Sequence, residues 1–163
     1  MRWDEFAEAC PEIADEAAER FRRDELVMVG TLRRDGSPRI SPCEVDVVAG
    51  YLFMGMMWRS PKAVDLLRDP RLVVHSVTCN REGTDGDLKI YGRAVDERDP
   101  GTRTAYRDAI KARIDWAPDE PEFHLFSIDV ESAASVRFDG EGQETVVTWD
   151  PERGLRRWTK PGS

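Results

Sequence analysis

Hydrophobic and polar positions change period several times along the chain, and each change marks an element. Over residues 3–22 apolar positions recur at helical spacing. Ile13, Ala17, Ala18 and Phe21 share one face, and Pro11 predicts a break. This segment is expected to pack over one end of a sheet. The period then shortens. ELVMVGTL (25–32) is short, β-rich and almost uncharged, which predicts a buried strand. RRDGSPR (33–39) contains Asp35-Gly36, a hairpin turn signal. RISPCEVDVV (39–48) is then the returning strand, and Pro38 and Pro42 argue for an edge position or a bulge. Ala49-Gly50 turns the chain again into YLFMGMMW (51–58), a third strand that is apolar on both faces. Three hairpin-linked strands make an antiparallel meander.

A short helix is expected from Pro61 to about Arg68, with Ala63, Leu66 and Leu67 on its apolar face and Asp69-Pro70 as its stop. RLVVHSVTC (71–79) and LKIYGRAVD (88–96) read as strands joined by the polar loop NREGTDGD (80–87). Gly92, inside the second of these, predicts a bulge or a close approach by backbone or ligand. Residues 102–114 read as an amphipathic helix with Tyr106, Ile110 and Ile114 in line. Strands follow at 123–130, 133–138 and 144–149, and RGLRRWTK (153–160) is either an edge strand or a tail. Hairpin turns precede any long crossover, so the fold class is mostly β with flanking helices, an antiparallel barrel of six to eight strands.

Composition narrows the function classes. The chain has 163 residues, about one domain, with an N-terminal helical segment at about 1–22. Its net charge is −8, from 32 acidic and 24 basic residues, which argues against a broad nucleic-acid surface but leaves room for a small basic pocket. No apolar run is long enough to span a membrane, and MRWDEFAEAC lacks an apolar signal core. Cys10, Cys43 and Cys79 are scattered and odd in number, which suits a reducing cytoplasm and makes no zinc site, even if Cys43 and Cys79 approach across strands. His75 and His124 sit in apolar strands without ligand spacing, so core or interface positions are expected for both.

The candidate chemistry lies in GMMWRSPKAVDLLRDP (55–70). Ser60 is a good N-cap and Pro61 suits the first helical position, so a plain helix start accounts for both. A helix N-terminus also presents unused N–H groups and a positive dipole end to a phosphate. Lys62 stands in the first turn, where a cation opposes the dipole unless an anion sits beside it, and Arg59 adds a bidentate donor before the cap. Both readings stand. Met56, Met57 and Trp58 offer flat, soft surface for a planar ring, or equally ordinary core and interface packing. Arg39 and Ser41 share a face of the strand expected beside 51–58, and either meet the same ligand or face solvent.

The ordered set VGTLRRDGSPRISPCEVDVVAGYLFMG and RSPKAVDLLRDPRLVVHSV resembles the pyridoxamine 5'-phosphate oxidase-like family, from about Leu26 to Val95 and more loosely from Phe123 to Phe138. The resemblance implies an FMN-binding type of split β-barrel, holding FMN or, in some branches, the deazaflavin F420. It implies a cofactor phosphate at Arg59, Ser60 and Lys62. The ring would lie along strands 39–45 and 51–58, against Arg39, Ser41, Met56, Met57 and Trp58. It further implies a homodimer with each cofactor at the subunit interface, which would explain the apolar faces of strands 51–58 and 71–79. The family's C-terminal Arg–Leu–x–Pro-type substrate segment is not matched by GLRRWTKPGS, where Arg156, Arg157 and Trp158 make a different motif, and the chain is also shorter than those enzymes, so vitamin B6 oxidation is not implied.

The function expected from the resemblance is a flavin- or deazaflavin-dependent oxidoreductase passing hydride between bound FMN or F420 and a small-molecule substrate. The cofactor carries that chemistry, and the protein orients it and excludes water. Tyr91 and Arg93 lie near the expected site region, and no acid or base is assigned. The alternatives are a non-enzymatic FMN or F420 binder for storage or sensing, and a ligand-free barrel serving as an interaction module.

Overall fold

The computed structural model describes residues 1–77, 80–139 and 143–161. Two helices open the chain, α1 (Trp3–Ala9) and α2 (Pro11–Asp24). The expected break at Pro11 is present, with Cys10 in a non-helical conformation between them. Ile13, Ala17 and Phe21 are buried as expected, but Ala14 fills the row in place of Ala18, which is exposed. Glu25 ends α2 in the left-handed region (φ 58°), donating its N–H to the Phe21 carbonyl. That cap delays β1 (Val27–Leu32) by two residues relative to the apolar run.

The segment expected as one strand over 39–48 is two, β2 (Pro38–Cys43) and β3 (Asp46–Val48), and the expected meander is not formed. β2 pairs with β1, whereas β3 pairs with β4 (Tyr51–Met57). β4 in turn pairs with β7 (Phe123–Phe138), not with β2. Between them lie β5 (Arg71–Ser76) and β6 (Asp87–Asp96), giving the antiparallel order β2-β1-β5-β6-β7-β4-β3. β2 and β3 thus end a seven-strand path, yet only Glu44 and Val45 separate them in the chain. Three Cα steps span about 11 Å at most. The sheet must therefore curl until its ends nearly meet, which is the barrel. Across that seam the Cys43 thiol lies 3.8 Å from the Gly55 carbonyl. The edge position expected from Pro38 and Pro42 is met, because β2 has no further neighbour along this path.

The two strands expected at 123–130 and 133–138 are one 16-residue strand, β7, with Glu131 as an extra residue in a bulge. Val130 opposes Gly92 and Ser132 opposes Tyr91, so the ladder continues through the interruption. Gly92 is required there, since a Cβ would stand 2.3 Å from the Asp129 carbonyl oxygen. β8 (Gln143–Asp150) pairs with the second half of β7, and β9 (Gly154–Pro161) pairs with β8, so 153–160 is a strand rather than a tail. Among the described residues the sheet has nine strands: the seven of this path make the barrel, within the six to eight expected, and β8 and β9 extend from it. Thr78 and Cys79 lie outside the described residues, and with them the end of the 71–79 strand and any approach of Cys79 to Cys43.

Helix α3 (Pro61–Arg68) has the bounds the sequence predicts. Helix α4 (Pro100–Ile114) starts two residues earlier than expected, capped by Asp99, whose carboxylate accepts from the Thr102 N–H at 2.7 Å. Tyr106 and Ile110 are buried, but Ile114 is exposed at the helix end. Two cores result. The larger holds Phe6, Ile13, Leu52, Met54 and Trp149 under α1 and α2, and the smaller holds Phe53, Tyr106, Ile110, Phe123 and Leu125 under α4. β4 lies between them, so the chain itself covers most of both its apolar faces, and no second subunit is needed to explain them. Among the described residues no helix is long and apolar enough to cross a membrane.

One buried carboxylate ties α3 to the sheet. Asp65 accepts from Arg39 Nε at 2.6 Å and from Thr31 Oγ1 at 3.1 Å, joining the helix to β2 and β1. Arg68 also reaches back to the Leu32 carbonyl. Removing one partner of such a set leaves the other polar groups unsatisfied. Asp65→Ala is expected to cost about 2–4 kcal/mol of stability, seen as a lower midpoint in chemical denaturation. A loss below about 0.5 kcal/mol would mean that the set contributes no more than a surface ion pair.

Candidate functional site

The site is built where β4 ends. The ladder places Met56 opposite His124 and Met57 opposite Phe123. Trp58, the next residue, stacks face to face on the His124 ring, 4.5 Å between centroids and 9° between planes. Arg59 then adopts a left-handed conformation (φ 54°), and the Ser60 N–H closes the turn on the Met57 carbonyl at 3.1 Å. This turn delivers the chain to Pro61 and the first turn of α3.

Ser60 occupies the N-cap position but does not make the expected cap bond. Its Oγ is enclosed and bonds to no described residue. The N-terminal amides of a helix have no intrahelical acceptor, and Pro61 has no N–H. The head of α3 therefore carries unused donors and a partnerless hydroxyl, with no acidic residue in its first turn. Lys62 Nζ crosses to β2 and donates to the Pro42 carbonyl at 2.5 Å.

A cavity of about 500 Å³ opens beside this head. Met56, Met57, Trp58 and Lys62 line one side of it, with Pro42 and Cys43 of β2. Tyr106 of α4, Trp116 and Phe123 line another, and Glu44, Asp119 and Glu122 bring carboxylates. Lys62 is the one basic residue in the lining among the described residues. Burial raises the Cys43 thiol to about 11, so it stays protonated at neutral pH. Burial likewise raises the Tyr106 phenol, with Asp46 adding to the effect. The volume is that of a small-molecule site, mostly apolar with a few convergent polar groups.

Of the residues singled out from sequence, Met56, Met57, Trp58 and Lys62 meet at this cavity. The others do not join them. Arg59 turns into a neighbouring groove with Arg98, Arg103 and His124, which shares Trp58 and Phe123 with the cavity. Arg39 is held by Asp65 in a hollow with Arg33, Arg34 and Arg68 on another face of α3. Ser41 is half-buried opposite Val29 and lines none of these three hollows. The expectation that Arg39 and Ser41 flank strand 51–58 fails because β2 pairs with β1, and it is Cys43 that reaches β4. Tyr91 and Arg93 are also remote from the cavity lining, and Arg93 pairs with Glu131 at 2.9 Å. His124 is buried, as expected of a core histidine; burial lowers its pKa, and its Nε2 has no partner.

Sequence reasoning missed Tyr106, Trp116, Phe123 and Cys43. Tyr106 was legible only as a helix-face residue. Its hydroxyl reaches the site because Gly55 leaves room on β4, and a pairing so distant in the chain has no local signal.

The family model for pyridoxamine 5'-phosphate oxidase matches residues 13–137. No curated protein matches the chain. Among solved structures it is similar to a pyridoxamine 5'-phosphate oxidase-related, FMN binding protein from Nostoc punctiforme PCC 73102, with a TM-score of 0.65, 16% identity, and 90% of this chain and 93% of that one covered. It is similar to a protein from Clostridium acetobutylicum related to general stress protein 26 of B. subtilis, of the pyridoxinephosphate oxidase family, at TM-score 0.63, 16% identity, and 85% and 94% coverage. It is also similar to a heme binding protein from Mycobacterium smegmatis, at TM-score 0.60, 14% identity, and 93% and 88% coverage. At such identities the structures attest the fold alone, and the family model carries the assignment. With that match spanning well over half its length, the chain belongs to the pyridoxamine 5'-phosphate oxidase family.

Proposed function

We propose that the protein is a flavin- or deazaflavin-dependent oxidoreductase, with FMN or alternatively F420 as cofactor and a small molecule as substrate. The observation that carries this reading is the enclosed, partnerless Ser60 Oγ at the head of α3, between Arg59 and Lys62, the second of which lines a largely apolar cavity. An enclosed hydroxyl without a partner costs about 1–3 kcal/mol, and a phosphate oxygen at the helix head would remove that cost while using the unused amides. Lys62, from the cavity, supplies a charge-assisted donor to the same group, and Arg59, in the neighbouring groove, adds positive charge beside the helix head. Met56, Met57 and Trp58 supply flat contact for a ring. The cofactor when bound supplies the hydride chemistry. The chain's part is to hold it, to dry its surroundings, and to leave a face for substrate. A non-enzymatic binder would use the same residues, and turnover with a reductant and candidate acceptors separates the two. The buried thiols of Cys10 and Cys43 suit a reducing cytoplasm.

The heme reading has one observation of its own, the unpartnered Nε2 of His124. That nitrogen is enclosed by protein, so ligation would require the groups around it to move. The head of α3 offers, beside its enclosed hydroxyl, amides without intrahelical acceptors and a lysine that lines the cavity, which favours the flavin reading.

The proposal extends to a homodimer with the cofactor near the interface. Leu26, Met57, Trp58 and Trp116 are 43, 79, 53 and 59% exposed and rim the same cavity, an apolar patch that a second copy would cover.

Separate titrations with FMN, F420 and hemin, followed by fluorescence and absorption, test the cofactor. Binding of FMN or F420 is expected, weakened at least about tenfold by Arg59→Ala with Lys62→Ala. Equal affinity in the double variant would remove the anion seat, and binding of none would leave a ligand-free barrel. Sedimentation velocity is expected to give a dimer for the natural chain and a monomer for Met57→Asp. A monomeric natural chain at tens of micromolar would end the dimer reading.

A further inference from the structure

The cavity contains a polar group that neither the fold nor the anion seat uses. Tyr106 is 4% exposed, and its ring sits against Phe53 at 5.7 Å and Phe123 at 6.2 Å. Its hydroxyl makes no hydrogen bond with any described residue, although a buried phenol ordinarily finds a partner. It is not sealed in protein as Ser60 Oγ is, and the residue lines the cavity. The oxygen lies so close to β4 that a Cβ on Gly55 would stand 2.3 Å from it. Glycine at 55 thus makes room for a hydroxyl that gains nothing from the protein in return.

The other side-chain donors in the lining are the indole N–H groups of Trp58 and Trp116, the Lys62 ammonium and the Cys43 thiol. Glu44, Asp119 and Glu122 are acceptors when ionised, and the Lys62 ammonium, which gives one of its three N–H groups to the Pro42 carbonyl, belongs to the anion seat. The Cys43 thiol is a weak donor already directed at the Gly55 carbonyl.

We infer that Tyr106 is a ligand-binding residue whose O–H donates to an acceptor atom, a carbonyl oxygen or ring nitrogen, of the planar heteroaromatic group bound in the cavity. This rests on the flavin or deazaflavin reading above. Burial, then Asp46 and the Cys43 and Glu44 side chains, raise the phenol above its ordinary value, so the donor form persists through neutral and mildly alkaline pH. The ring packing among Phe53 and Phe123 fixes where the oxygen sits, so the donor is aimed before the ligand arrives.

Tyr106→Phe keeps that packing and removes only the oxygen. The full-length natural chain and the variant are titrated with FMN and F420, and both apo-proteins are melted. Affinity is expected to fall about five- to tenfold, with a shift of the bound absorption band, while the apo midpoint stays within about 2 °C because no protein hydrogen bond is lost. Equal affinity and an unshifted band would overturn the inference alone. An apo midpoint lowered by more than about 5 °C would also overturn it, since the hydroxyl would then be structural. A natural chain that binds neither cofactor would remove the flavin reading, and the inference with it.

Discussion

The structure depends on β7 being one strand. Its 16 residues pair with β6 along most of their length. On the other side the first half pairs with β4 and the second half with β8. The sheet therefore forks at β7. The bulge at Glu131 falls between the two halves, where an extra residue increases local twist and turns the branches apart. One branch, β4–β3, curls round until β3 nearly meets β2. The other, β8–β9, leaves the barrel and lies against the N-terminal helices, with Trp149 edge-on to Phe6 at 5.0 Å and Arg157 paired with Glu12. A loop in place of the bulge would break the shared ladder, and the position of β4 relative to β6 would no longer be fixed by hydrogen bonds.

That ladder is also what places the candidate site. The first half of β7 holds β4 to its last residue, Met57, and the Trp58 ring then folds back onto His124, the partner of Met56. The left-handed Arg59 can then turn the chain in only one direction, onto the head of α3. The far side of α3 is fastened through Asp65 to β1 and β2, at the opposite end of the strand path. The helix is thus clamped between the two ends of the curled sheet. Its head is a fixed point and not a loop, which is what an anion seat or any preorganised donor set requires.

Legibility in the sequence followed the range of the physics. Asp35-Gly36 and the Pro61 to Asp69-Pro70 frame are local signals, and the turn at Gly36 (φ 83°) and the bounds of α3 match them. Gly92 also spoke locally, as a glycine in a strand pattern. RISPCEVDVV misled because its alternation runs unbroken through Glu44 and Val45, where the chain crosses from one end of the sheet to the other without a glycine or proline to mark it. β7 misled in the opposite sense, because the break left between the strands 123–130 and 133–138 is a bulge at Glu131. For the site, the cluster Met56, Met57, Trp58 and Lys62 was visible because it is contiguous. Arg39 and Ser41 were misplaced with the strand that carries them. Tyr106 depends on a contact between α4 and β4 that nothing nearby in the chain announces.

Charge sets the terms on which this site can work. The chain carries −8, and the cavity itself holds Glu44, Asp119 and Glu122 against Lys62. The field of the whole molecule therefore repels an approaching phosphate, and steering cannot supply its affinity. Beyond about 8–10 Å that repulsion is largely screened at physiological salt. Inside that distance only contact terms remain, namely helix amides, the Ser60 hydroxyl, and the Arg59 and Lys62 side chains. An acidic protein can hold an anion on such terms if the donors are already in place, because none of the binding energy then goes into assembling them. The clamp on α3 meets that condition. It also gives a physical reason for Lys62 to sit in the first turn of a helix, where the dipole opposes it: bound to Pro42 it closes the cavity floor against β2, and an anion beside it would turn the unfavourable position into a favourable one.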